Sequence, residues 1–62
     1  MDKAQIVASI IRHRDAATRA MQMSKRHERF GHSEAALKYL TRAQKLTIEK
    51  RKLQAMLESE DA

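Results

Sequence analysis

Three histidines, His13, His27 and His32, are the side chains of this sequence suited to proton exchange near neutral pH or to ligating a transition metal. His27 and His32 are five residues apart, and a tight turn between them would bring the rings together. A metal held there would have two imidazoles, no thiolate and no carboxylate at zinc-motif spacing, with Glu28 merely adjacent to one ring. The reading is therefore structural: His32 helps to cap a helix end, His27 lies on the core margin, and no metal site is expected. His13 follows Ile10 by about one helical turn and falls beside the apolar stripe as an interface histidine, where its protonation at low pH would weaken a dimer. Ser9, Ser24 and Ser33 have helical or capping roles, and no residue set supplies a nucleophile with its base and orienting group. No catalytic residue, no cofactor and no small-molecule substrate are expected, and the chain is read as not an enzyme.

Charge carries more information. Thirteen Lys and Arg face eight Asp and Glu, a net charge of +5. The bases cluster at Arg12/Arg14, Lys25/Arg26/Arg29, Lys38/Arg42/Lys45 and Lys50/Arg51/Lys52, while residues 58–62 carry three acids and no base. On a helix, Lys38, Arg42 and Lys45 form a row along one side, as contact with a phosphate backbone requires. Candidate nucleic-acid contacts are Arg26, Arg29, Lys38, Arg42, Lys45, Arg51 and Lys52. The blander reading is a solvated helix face stitched by the i,i+4 pairs Asp15–Arg19 and Glu34–Lys38. No aromatic residues interleave the bases for stacking, since Tyr39 and Phe30 stand alone.

The elements that place these residues follow from punctuation and periodicity. With no Pro and a single Gly, the chain breaks at one place, Phe30-Gly31-His32-Ser33. Gly31 suits the position past a helix end, and Ser33 is a candidate N-cap with Glu34 in the next turn. Asp2 and Gln5 have capping-box spacing. The prediction is all-α: two helices over about 3–30 and 34–58, each roughly 40 Å long, folded antiparallel, with an acidic tail at 58–62 that frays. Residues 1–62 form one domain, without strands.

On the first helix Ile6, Ile10, Ala17, Ala20 or Met21, and Ser24 recur at helical spacing, bulky at the start and small in the middle. On the second, Tyr39, Ala43, Leu46, Lys50, Leu53 and Leu57 make a heptad-like, coiled-coil seam interrupted by Lys50 and flanked by Leu40. The predicted packing or dimer interface is Ile6, Ile10, Ala17, Met21, Tyr39, Leu40, Ala43, Leu46, Leu53 and Leu57. Val7 and Ile11 lie to one side of that stripe, Ala16, Met23 and Phe30 to the other, and Ile48 on the far face, so a second contact surface is expected.

Ten of the 26 hydrophobic residues are Ala. A chain this small, without disulfides, is marginal as a monomer, and association is the expected remedy. A dimer would convert the hairpin into a four-helix bundle. No apolar run reaches the ~18 residues of a membrane span, no signal-peptide layout opens the chain, and a cytoplasmic location is expected. The functional expectation is a small regulatory or adaptor protein acting through protein–protein contact as a homodimer, of the kind phages and plasmids use as accessory proteins. The alternative is a basic hairpin that binds structured RNA or DNA backbone. In size and hairpin architecture the chain resembles the Rop family of plasmid copy-number regulators, dimers of helical hairpins that bind paired RNA loops. It is similar in the same way to the small two-helix protein of the large ribosomal subunit, which ribosomal RNA holds. These resemblances cover architecture, carry no residue across, and imply an RNA partner for the alternative reading.

Overall fold

The computed structural model describes residues 2–61, with the side chains of residues 60 and 61 left aside. The chain forms two helices, α1 (Lys3–Arg29) and α2 (Ser33–Asp61), of 27 and 29 residues. They pack along their length as a hairpin measuring 47 × 14 × 13 Å.

Each end of α1 is closed by its local sequence. Asp2 accepts from the Gln5 backbone N–H at 2.8 Å, and the Gln5 side chain accepts from the Asp2 N–H at 3.1 Å. Both halves of the expected capping box are therefore made. At the other end Gly31 has φ +75°. The Gly31 N–H reaches the Glu28 carbonyl at 3.1 Å and the His32 N–H reaches the His27 carbonyl at 2.8 Å. This pair of bonds is the Schellman arrangement, which satisfies carbonyls that the helix end would otherwise leave unpaired.

The second helix starts one residue earlier than the sequence indicated. The Ala36 N–H donates to the His32 carbonyl at 3.0 Å, so the capping position falls on His32 and Ser33 is the first helical residue. His32 thus closes α1 with its N–H and opens α2 with its carbonyl, which is why the turn is so short. Helix α1 likewise stops at Arg29, with Phe30 as its cap. Helix α2 continues to Asp61, beyond the expected end at 58, so the acidic stretch up to residue 61 has helical backbone. Ala62 lies outside the described residues.

Gly31→Ala isolates the contribution of the turn. An added Cβ would meet nothing within 4 Å, so the cost is the left-handed backbone alone, about 1–2 kcal/mol. Thermal unfolding should show that loss, with Gly31→Asn losing less. An unchanged midpoint for Gly31→Ala would contradict this account of the turn.

The core is a thin line. Among the described residues Ile6, Ala20, Ala36 and Ala43 are its buried hydrophobic residues, and Ile6 is the one large side chain completely enclosed. Ser24 is buried with them and donates from Oγ to the Ala36 carbonyl at 2.7 Å, a hydrogen bond between the helices. Of the predicted interface, Ile6 and Ala43 are buried, while Ile10, Ala17, Tyr39, Leu40, Leu46, Leu53 and Leu57 are half-buried. Met21 is exposed, and Ala20 takes the inner position. The reason is geometric: two cylinders touch along one line. Small residues at 20, 24, 36 and 43 let the backbones approach there, and each bulky neighbour keeps one side open.

Candidate interaction surfaces

The histidines form a turn clasp. His27 Nδ1 and His32 Nδ1 are 3.4 Å apart, and the His27 ring stacks on Tyr39 with centroids 5.3 Å apart and planes 9° from parallel. Phe30 leans on His32 at 6.5 Å. Among the described residues no group of three or more His, Asp or Glu side chains is placed to hold a metal ion. His13 Nδ1 lies 2.7 Å from the Ser9 carbonyl oxygen. A carbonyl can only accept, so the proton is on Nδ1 and the ring is tied to its own helix.

Two different faces flank the inter-helix line. On the first, Met21 and Ile48 line an open groove with Ala43, Gln44, Thr47 and Arg51. Val7 precedes Met21 by fourteen residues, about four helical turns, and so continues the same side of α1. Ile11 lies next to Val7 on the adjoining surface. Val7, Ile11, Met21 and Ile48 are 41, 43, 38 and 51% exposed. Thr18 and Thr47 point their hydroxyls back to the Arg14 and Ala43 carbonyls at 3.0 and 2.9 Å. Their hydrogen-bonding demand is met within the helix, so the methyl groups add to the apolar surface. Arg14, Lys25 and Lys50 border this side.

The opposite face has a different chemistry. Arg19 of α1 and Arg42 of α2 border a shallow groove with Ala16, Ala20, Met23 and Tyr39. Arg12 stands two turns before Arg19, and Lys38 and Lys45 one turn to either side of Arg42. None of these five cations takes part in an ion pair or hydrogen bond among the described residues. The expected i,i+4 pairs are not formed. Asp15 holds Arg14 at 3.3 Å instead of Arg19, and Glu34 does not reach Lys38. Asp15 and its neighbour Arg14 are both exposed, so this local pair contributes little to stability.

The candidate nucleic-acid residues therefore separate. Lys38, Arg42 and Lys45 share one side of α2. Arg51 lines the apolar groove on the other side. Lys52 lies 3.7 Å from Glu49. Arg26 and Arg29 belong to the last turn of α1, where they complement the helix dipole. Arg12 and Arg19, which the sequence reading does not group with these cations, lie on the same face as Arg42. The sequence offered Arg19 an acid four residues earlier, and only the pairing of the two helices brings it opposite Arg42.

Among the described residues no helix is long and apolar enough to cross a membrane. No family model, curated protein or solved structure matches the chain.

Proposed function

We propose that this chain is a non-enzymatic interaction protein that works as a homodimer, two hairpins joined through the Val7–Met21–Ile48 face into a four-helix bundle. The supporting observation is surface. A compact monomer of 7.2 kDa exposes about 4,100 Å² by surface–mass scaling. This hairpin exposes 4979 Å². Among the described residues its own core encloses one large side chain and three alanines, too little to offset the ordering of two long helices. A second copy supplies the missing half. A face 47 Å long and 14 Å wide offers roughly 650 Å² per copy before side-chain relief is counted, which brings the total into the range of stable interfaces. The bundle would then present its outer faces to a further macromolecule, as a small regulator or adaptor does.

The cations bordering the apolar face give this reading a sign. Arg14, Lys25 and Lys50 approach their counterparts when two copies meet, and salt screens that repulsion. Light scattering at low micromolar concentration should show the mass rising toward the dimer as salt increases from 50 to 500 mM. A mass that stays at 7.2 kDa at both salt concentrations would contradict the proposal.

A further inference from the structure

The geometry points to a phosphodiester-backbone site on the face opposite the apolar one, centred on the Arg19–Arg42 groove. Four observations converge there. First, arginines from two different helices border one groove whose other lining residues are uncharged. Guanidinium forks suit phosphate oxygens, and planar donors from two sides can grip one phosphate bidentately. Second, Arg12, Lys38 and Lys45 extend the positive surface along the hairpin axis. Lys38, Arg42 and Lys45 climb α2 in steps of about 6 and 4.5 Å, giving successive cations for successive phosphates. Third, none of the five is neutralised among the described residues. The acids nearest in sequence, Asp15, Glu34 and Glu49, pair with none of the five, and a polyanion relieves the remaining repulsion among the cations while releasing its own counterions. Fourth, two of the four residues lining the groove beside the arginines are small, Ala16 and Ala20, with Met23 and Tyr39 the larger ones, so part of the groove lets a backbone approach the guanidinium groups.

The groove is shallow and open, and its one aromatic residue, Tyr39, is already stacked on His27. No platform for base stacking and no helix edge for reading base pairs is offered. Recognition is of the charged backbone, and sequence preference is expected to be small. The site lies away from the Val7–Met21–Ile48 face, so binding here leaves that surface free for a second copy.

The test is a binding titration of the full chain against fluorescent 20-base-pair RNA and DNA duplexes at several salt concentrations between 50 and 200 mM. Wild type should bind, with affinity falling steeply with salt. Arg19→Gln/Arg42→Gln should weaken binding by about tenfold or more and flatten the logarithmic salt slope by about 2. A charge-matched control, Lys25→Gln/Arg51→Gln, removes the same net charge from the other face and should bind like wild type at 100 mM salt. Circular dichroism of each variant verifies the hairpin. Comparison of the two duplexes assigns the backbone to RNA or to DNA. The inference is overturned if wild type binds neither duplex at 50 mM salt, if both double variants lose affinity equally, or if poly-glutamate binds as tightly as the duplexes.

Discussion

Ile6→Ala should cost about 2–5 kcal/mol and leave most of the protein unfolded at 25 °C. That range is the usual penalty for hollowing a packed aliphatic site. It is large here because, among the described residues, Ile6 is the single large side chain completely enclosed, and the other buried hydrophobic residues are alanines. The position is also close to the α1 start, where Asp2 and Gln5 cap the helix. Loss of the Ile6 side chain therefore loosens the open end of the hairpin, although the backbone N–H of residue 6, 3.0 Å from the Asp2 carbonyl, is retained in Ile6→Ala. Ile6→Val should lose about 0.5–1.5 kcal/mol and remain folded. Chemical denaturation followed by circular dichroism distinguishes the two. Equal midpoints for Ile6→Ala and wild type would mean that the core lies elsewhere.

Met21→Glu/Ile48→Glu should abolish self-association and, with it, most of the thermal stability. The two side chains line one groove from opposite helices, and each still exposes a substantial part of its surface. Covering that apolar area would contribute roughly 1 kcal/mol per side chain. Placing carboxylates in a closed interface instead costs several kcal/mol each after relaxation. The control is Met56→Glu/Ser59→Glu, which adds the same charge at exposed positions near the end of α2, outside the residues that line that groove. The control should keep the mass and melting temperature of wild type. A Met21→Glu/Ile48→Glu protein that melts with the wild type would place no partner on this face.

Much of this architecture is legible along the chain, because helices announce themselves locally. Asp2 with Gln5 foretells the first cap, and Gly31 fixes the break because it alone can take positive φ without strain. Its neighbour His32 carries the signal that was misread. A histidine side chain is a poor N-cap, so Ser33 attracted the assignment, whereas the backbone carbonyl of His32 opens the helix regardless of its side chain. The depth of burial along the seam is less legible for a related reason. Periodicity reports which side of a helix is apolar, but the depth of burial depends on how close the partner comes. That distance is set by Ala20, Ser24, Ala36 and Ala43, whose small size looks unremarkable in sequence.

The interaction surfaces were the least legible part. Asp15–Arg19 and Glu34–Lys38 have the right spacing for ion pairs, yet spacing permits a pair without requiring it, and exposed pairs gain too little to hold two flexible side chains together. The neighbouring Arg14 captures Asp15 instead. The opposition of Arg19 and Arg42 depends on the register between the helices, which the contact of Ser24 with Ala36 records. No repeat within either helix reveals that register.

The central claim is that the apolar face of the hairpin is closed by a second copy. Sedimentation equilibrium from about 1 to 200 μM, at 200 mM salt, tests it most directly. The account expects a species of twice the 7.2 kDa chain mass that dissociates on dilution, with a melting temperature that rises with concentration. A mass of 7.2 kDa throughout, and a melting temperature independent of concentration, would contradict it.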